Sequence, residues 1–191
     1  EDLESEEALA VNGLLGHGEG VTRLNTPTRL PSMGGERAVS VSAGAVHSLA
    51  IAADGSVWSW GCACRLGHGD DENQLQPKKI EAFTGQRVVT VSAGSNHSLA
   101  ITVDGAVWTW GLGGCPLGTS NNLLPKKIES MTGRRVVAVS ADLMHSLAIT
   151  TDGGVWSWGE GRSGVLGHGD REDQLLPKKI EAFEGERVTA V

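Results

Sequence analysis

Apolar and polar residues alternate with a period of two along several short stretches of this chain. Val39 and Val41 alternate with serines, and Leu49 and Ile51 repeat the same spacing. A period of two is typical of half-buried β-strands, whose successive side chains point to opposite faces of a sheet. No segment shows convincing helical periodicity. The pattern therefore predicts an all-β fold.

An Asp-Gly pair separates two of the strand-like runs. Asp54 and Gly55 precede the run 57–61, Val-Trp-Ser-Trp-Gly, and Asp-Gly readily supplies the positive φ of a tight hairpin turn. The strands on either side are therefore predicted to pair antiparallel. A fourth short strand is predicted at 78–81, directly after Pro77, where the proline would not interrupt a hydrogen-bonded ladder.

The same order of strands and turns occurs three times. The segment that ends in His-Ser-Leu-Ala-Ile recurs with its histidines 50 and 48 residues apart, at His47, His97 and His145. Four short strands in a unit of about 50 residues form a blade that cannot bury its own faces and must stack on neighbours. A β-propeller is therefore the expected architecture. The predicted divisions are an acidic non-repeat segment (1–11), a remnant of a first repeat (12–36), three repeat units (37–86, 87–134 and 135–186) and the start of a further repeat (187–191).

Several motifs in fixed order give the repeat a family resemblance. The string Ala-Gly-x-x-His-Ser-Leu-Ala-Ile-x-x-Asp-Gly-x-Val-Trp-x-Trp-Gly, followed by Leu-Gly-His-Gly-Asp and Pro-x-x-Ile, resembles the repeat of the regulator of chromosome condensation family. The resemblance covers 37–191 and part of 12–36. It implies a seven-bladed propeller, of which this chain would form a partial one with about four four-stranded antiparallel blades. WD-type and kelch repeats fit less well, because the second tryptophan precedes glycine and the chain has no tyrosine.

The family resemblance implies several kinds of function. Its members serve as guanine nucleotide exchange factors, as domains of giant ubiquitin ligases, as plant photoreceptors or as scaffolds, and the run 170–177 looks most like the ubiquitin-ligase branch. The leading interpretation is a protein-interaction scaffold, not an enzyme, that binds a protein partner through its loops and propeller face. An exchange factor for a small Ran-like GTPase, and a substrate-recognition or regulatory domain of a ubiquitin ligase, stay open as alternatives.

Three motifs that could suggest chemistry have simpler interpretations. The Ser, His and Asp of each unit recur at the same place in every unit, whereas a catalytic triad needs to occur once, so no catalytic residue is predicted. The spacing Gly-x-Gly-x-x-Gly at 159–164 is not followed by a helix start, which favours a loop over a cofactor site. Cys62 and Cys64 occur in one unit, with Cys115 at a nearby loop position of the next unit and His68 as a possible further ligand, but two loop thiols are favoured over a metal site. Neither a cofactor nor a metal is expected.

Departures from the repeat are the best candidates for a specialised surface, because the scaffold does not require them. The third unit replaces Gly-x-x by Asp-Leu-Met, which puts apolar bulk in a loop, and the second unit replaces His-Gly by Thr-Ser. The candidate partner-binding loop comprises Cys115, Pro116, Thr119, Ser120, Asp142, Leu143 and Met144.

Composition and charge restrict the class of partner and the compartment. Glycine supplies 27 of 191 residues, and the net charge is −7. A negative chain disfavours direct nucleic-acid binding, and no apolar stretch is long enough to span a membrane. Three cysteines do not make a disulfide framework, which favours the reduced thiols of an intracellular protein, cytoplasmic or nuclear. About 50 residues per blade makes a fragment the expectation, with missing blades or another chain completing the propeller.

Overall fold

Twelve β-strands build three four-stranded antiparallel sheets in a computed structural model of the chain, which describes residues 13–31, 33–112 and 122–191. Each sheet contains four consecutive strands, so each is one blade. Blade 1 holds β1 (Ala38–Ala43), β2 (His47–Ala52), β3 (Val57–Gly61) and β4 (Gln74–Lys79); blade 2 holds β5 (Val88–Ala93), β6 (His97–Thr102), β7 (Val107–Gly111) and β8 (Asn122–Lys127); blade 3 holds β9 (Val136–Ala141), β10 (His145–Thr150), β11 (Val155–Gly159) and β12 (Gln174–Lys179).

The all-β prediction is confirmed. Besides the strands, the described residues contain only five short 3₁₀ turns. The described part of the chain completes three blades, where about four were expected, because residues 13–36 contribute turns and no strand. No helix within the described residues has the length and apolar character needed to cross a bilayer.

The Asp-Gly turns join the second and third strands of each blade, as predicted. Gly55 has φ of +87°, and the Asp54 carboxylate accepts a hydrogen bond of 2.8 Å from the backbone N–H of Ser56. This hydrogen bond between the Asp54 side chain and the turn backbone stabilises the turn. Ser59 pairs with Leu49 on the neighbouring strand, so the hairpin register places the apolar side chains on shared faces.

The predicted position of the fourth strand was wrong by several residues. β4 begins at Gln74 and contains Pro77, whereas Glu81 already starts a 3₁₀ turn. Proline is tolerated here because β4 is the outer edge strand of its sheet, and because its pairing with β3 is interrupted by a bulge between Ser59 and Gly61.

The hydrophobic core lies between successive blades. Phe83, from the 3₁₀ turn after β4, meets the rings of Trp108 and Trp110 edge-on, with centroids 5.6 and 5.7 Å away. The core between blades 1 and 2 comprises Leu49, Ile51, Val57, Ile80, Phe83, Val88, Val91, Ala93, Ala100 and Trp110. Blades 2 and 3 repeat this core with Leu99, Ile101, Val107, Ile128, Met131, Val136, Val139, Ala148 and Trp158. Stability therefore depends on contacts between neighbouring blades.

Candidate functional site

The repeated histidines hydrogen-bond one blade to the next. His47 Nε2 lies 2.8 Å from Ser98 Oγ, and His97 Nε2 lies 2.7 Å from Ser146 Oγ. The Ser98 hydroxyl donates its own proton to the backbone carbonyl of Arg65, so His47 Nε2–H is the donor to the serine. His47 with Ser98, and His97 with Ser146, thus make the same contact at both blade interfaces.

Burial keeps these imidazoles neutral. Burial lowers the pKa of His47 to about 4, and the charges of Arg65 and His97 lower it further. Burial likewise lowers the pKa of His97 to about 4, with His145 contributing in the same direction. Within the described residues, Nδ1 of His47 and of His97 is buried without a hydrogen-bond partner. A proton there would be a buried donor with no acceptor, which is costly.

The cysteine and glycine motifs lie in loops. Cys62 and Cys64 are free thiols, and Cys64 Sγ donates to the Asp71 carboxylate across 2.6 Å. Burial, this hydrogen bond and the charge of Asp71 raise the pKa of the Cys64 thiol. No group of three potential metal ligands comes together among the described residues. Within 159–164, residues 162–164 form a 3₁₀ turn.

One end of the three sheets carries a continuous ribbon of loops. The loops after the first strand of each blade, 44–46, 94–96 and 142–144, are joined by backbone hydrogen bonds from Ala45 N to Gly94 O (3.3 Å) and from Ser95 N to Asp142 O (3.2 Å). We call these three loops the loop ribbon. It places equivalent residues of all three blades side by side.

Close approach of the backbones requires glycine at two positions of the loop ribbon. A Cβ atom on Gly44 would lie 2.2 Å from the Gly94 carbonyl oxygen, and a Cβ on Gly94 would lie 2.3 Å from the Asp142 carbonyl oxygen. Both distances are far below van der Waals contact. Asp142 occupies the equivalent position in blade 3.

The last loop of the ribbon presents its side chains to solvent. The Leu143 side chain is 58% exposed, and the Asp142 carboxylate is largely exposed beside His145 Nδ1, 3.7 Å away. On the side of β11, the Met144 carbonyl accepts from the backbone N–H of Glu160. An exposed leucine next to an exposed carboxylate is a surface that a protein partner can contact.

A row of polar contacts supports this loop from the neighbouring blades. The Arg65 guanidinium donates from Nε to the Ser95 carbonyl (2.8 Å) and from Nη2 to Asn96 Oδ1 (3.0 Å). Asn96 Nδ2 then donates to Met144 Sδ across 2.9 Å. Sequence analysis missed Arg65 and Asn96. The sequence did contain a signal, because each residue occurs in one unit only. At the position of Arg65, for example, the third unit has Val165.

The structure brings together three of the seven candidate loop residues. Asp142, Leu143 and Met144 form the exposed end of the loop ribbon. The others, Cys115, Pro116, Thr119 and Ser120, lie outside the described residues.

Comparison with known families agrees with the repeated geometry. The regulator of chromosome condensation (RCC1) repeat matches residues 10–51, 54–101, 104–149 and 152–191. The chain belongs to the RCC1 repeat family. A second description of the same repeat matches 38–65, 88–115 and 136–165, and the resemblance inferred from the motifs is thereby confirmed.

Relatives and solved structures extend this assignment. The chain is 39% identical to the ultraviolet-B receptor UVR8 of Arabidopsis thaliana over 183 residues, 94% of this chain and 30% of UVR8. It is 40% identical to the E3 ubiquitin-protein ligase HERC2 of Homo sapiens over 74 residues, 38% of this chain and 2% of HERC2. The chain thus spans less than a third of either relative.

Two solved structures share the fold of the described blades. Human WBSCR16 superposes with a TM-score of 0.73 at 26% identity, covering 81% of this chain and 42% of that one. Prp20p of Saccharomyces cerevisiae, whose structure was described together with its binding to Gsp1p and histones, gives 0.66 at 28% identity, covering 81% of this chain and 40% of that one. The three blades therefore form part of an RCC1-type propeller.

Proposed function

We propose that this chain is a non-catalytic protein-interaction scaffold whose RCC1-type blades present the loop 142–144 to a protein partner. The observation that carries the proposal is Asp142, which stands where close packing requires glycine in the two preceding blades. The substitution places a carboxylate next to Leu143, and both side chains are exposed. The row from Arg65 through Asn96 to Met144 supports this loop, which limits the entropy lost on binding.

The partner proposed for this loop is a protein with an apolar site for Leu143 and a cation for Asp142. Met144 and Glu160 lie beside these residues, and Arg162 forms an ion pair with Glu160 (3.3 Å). A mixed apolar and charged patch is typical of transient protein interfaces. A cytoplasmic or nuclear location, inferred from the reduced thiols, is part of the proposal, whereas nucleic acid and membrane are not proposed as partners.

The test compares two surface changes from an apolar residue to aspartate, at opposite ends of the sheets. Proteins that co-purify with the 191-residue chain are identified, produced in pure form and titrated against Leu143→Asp and Val103→Asp. We expect Leu143→Asp to weaken binding at least about 10-fold, the effect of losing an interface anchor. Val103 is exposed in the hairpin turn after β6, far from the loop ribbon, so Val103→Asp should bind normally. Equal binding of both variants would contradict the proposal.

Two relatives favour more specific versions of this function. The match to HERC2 favours a substrate-recognition or regulatory module of a ubiquitin ligase, whose partner would be a ubiquitin-pathway protein. The likeness to Prp20p favours a nucleotide exchange factor acting on a small GTPase. Nucleotide release measured on a panel of purified GTPases separates the two functions, because only an exchange factor accelerates release. Leu143→Asp should then reduce that acceleration.

A further inference from the structure

A cleft lies where blade 2 connects to blade 3, at the end of the sheets opposite the loop ribbon. Its volume is about 320 Å³, and it is formed by the Asp-Gly turn of blade 2 and by the segment 127–135. Its main lining residues are Asp104, Val107, Lys127, Met131, Arg134 and Arg135. We call it the turn cleft. Both blades that border it are part of the described structure.

Three cations and one carboxylate line the turn cleft. Lys127, Arg134 and Arg135 form no ion pair with any described residue. Asp104 Oδ1 accepts from the Thr102 hydroxyl (2.6 Å) and from a backbone N–H of its own turn. The turn cleft therefore has an excess of positive charge, although the chain as a whole is acidic.

The Arg134 side chain is held in place while most of its donors stay free. Its guanidinium lies over the Trp156 ring of blade 3, 4.6 Å from the ring centroid, and Nη1 donates to the Ser130 carbonyl across 3.1 Å. Stacking on an aromatic face leaves the N–H groups at the edge of the guanidinium plane. Nε and Nη2 donate to no described residue, so this edge can bind a carboxylate through the two parallel hydrogen bonds that arginine favours.

The equivalent positions of the other two units carry no such charge. Gln86 stands at the position of Arg134 in a cleft of about 270 Å³ after β4, and Glu186 stands there after β12. In blade 3, Glu184 Oε1 also lies 4.0 Å from Nζ of Lys179. One position of the same turn thus carries a neutral, a basic and an acidic residue. Because the repeat accepts all three, folding does not require the arginine.

We propose that the turn cleft binds an acidic peptide segment of a protein partner. One carboxylate would pair with the free edge of Arg134, and a second would lie beside Lys127. An apolar side chain between them would enter the cleft toward Val107 and Met131. This surface goes beyond the proposed function, because it lies at the other end of the sheets from the loop 142–144 and shares no residue with it.

Carboxylates on separate residues suit the turn cleft better than one concentrated anion. Asp104 lines the cleft, and beside it Glu129 accepts from the Thr132 hydroxyl (3.1 Å). A phosphate dianion would therefore meet two carboxylates as well as the cations, whereas separate carboxylates can each pair with one cation. The chain has a net charge of −7, but charges farther away than about 8 Å are largely screened at physiological salt.

The synthetic peptide Ser-Glu-Thr-Leu-Thr-Glu-Ser is the probe, because its two glutamates and its leucine lie on one face when it is extended. We expect saturable chemical-shift changes in residues 104–107 and 127–135 of the isotope-labelled 191-residue chain, with a Kd of about 300 μM or tighter. The same peptide with glutamine in place of glutamate should bind at least about 10-fold more weakly.

Two exchanges between equivalent positions test the role of the arginine. Arg134→Gln gives the turn cleft the residue that its blade 1 equivalent already carries, and should weaken binding at least about 10-fold. Gln86→Arg is the reverse change, and the peptide should then also shift residues 79–87. Leu143→Asp is the control and should leave peptide binding unchanged, so failure of this proposal and failure of the loop interface are distinguishable.

Several outcomes would overturn the proposal. They are lack of saturation up to about 5 mM peptide, equal binding of Arg134→Gln, equal binding of the glutamine peptide, and the absence of new shifts in 79–87 of Gln86→Arg. A peptide with phosphoserine in place of both glutamates that binds at least about 10-fold more tightly through Arg134 would identify phosphate as the ligand. A single-stranded oligonucleotide that competes with the acidic peptide and binds more tightly would identify nucleic acid, and would also overturn it.

Discussion

Two buried histidines make the stability of this chain depend on pH. The pKa of His47 and of His97 is about 4 in the fold, against 6.5 for an ordinary histidine. Between these values the unfolded chain binds more protons, so stability is complete above pH 6.5 and falls as the pH drops toward 4. Protonation of each histidine should lower the free energy of unfolding by about 3 kcal/mol over this interval. Urea unfolding between about pH 7.5 and 4.5 measures the slope.

A double variant, His47→Gln with His97→Gln, separates this effect from the carboxylates. Hydrogen bonds within the Asp-Gly turns lower the pKa of Asp54, Asp104 and Asp152. The stability that those aspartates contribute is therefore lost only as the pH falls below their ordinary pKa of 3.8, which lies outside the histidine interval. The variant should be less stable at pH 7 and should lose part of the slope between pH 6.5 and 4.5, and the rest comes from His68 and His168, whose pKa values burial also lowers. An unchanged slope would contradict the role of the histidines.

Gly94 provides a second prediction at the residue scale. Gly94→Ala places a Cβ 2.3 Å from the Asp142 carbonyl oxygen, so the loop ribbon must separate and the hydrogen bond from Ser95 N must lengthen. We expect a loss of about 3 kcal/mol in the free energy of unfolding. Gly85→Ala, at φ of +80° with nothing within 4 Å of the new Cβ, should cost only about 1 kcal/mol. Similar losses in both variants would contradict the role of the close approach at Gly94.

The sequence predicted a structural position for the repeated histidines but not the contacts of Arg65, and the difference has a physical reason. Repetition alone shows that His47 and His97 hold a structural position, because a triad needs to occur once. It does not show that their hydrogen bonds cross to the next blade, since the serines lie about 50 residues further on. Arg65 has no repeat to mark it, and its contacts with Ser95 and Asn96 depend on how two blades pack. The exposed loop end was found because Asp142 departs from a glycine.

At the scale of the element, two copies of one 3₁₀ turn differ in energy because of their neighbours. Phe83 and Phe183 close identical Glu-Ala-Phe turns, but Phe83 is 3% exposed between two tryptophans and Phe183 is 42% exposed. Phe83→Ala should cost about 3–5 kcal/mol. Phe183→Ala should cost about 1 kcal/mol. Thermal or urea unfolding of both variants gives the comparison, and equal costs would mean that the turn itself, and not the interface, is stabilised by phenylalanine.

The fourth strand shows where local sequence signals stop. Pro77 made 78–81 look like the start of a strand, because proline is disfavoured inside a ladder. In the fold, β4 is an edge strand whose outward N–H groups have no partner in its sheet, so Pro77 fits within it. Edge position is set by the order of strands in the blade. The sequence of 74–81 does not contain that information, whereas the period of two in β2 and β3 was sufficient to find those strands.

At the scale of the whole molecule, stability passes from blade to blade through nearest neighbours. Each apolar core joins two adjacent blades, and no apolar core among the described residues joins blade 1 to blade 3. In such an array a local defect should loosen the blade that carries it and fade along the chain. The segment 13–36 extends this array, because Leu30 and Met33 pack against Ala50 and Trp60 of blade 1.

Met33→Ser therefore tests how far a defect spreads. Met33 is buried against Ala50 and Trp60, and its loss should expose the first blade while leaving the core between blades 2 and 3 intact. We expect amide hydrogen exchange in β1–β3 to become at least about 10-fold faster, with exchange in β9–β11 unchanged. Leu24→Ser, a change at an exposed leucine outside the apolar cores, is the control and should leave both regions as they are. Equally faster exchange in all three blades would show instead that the array unfolds as one cooperative unit.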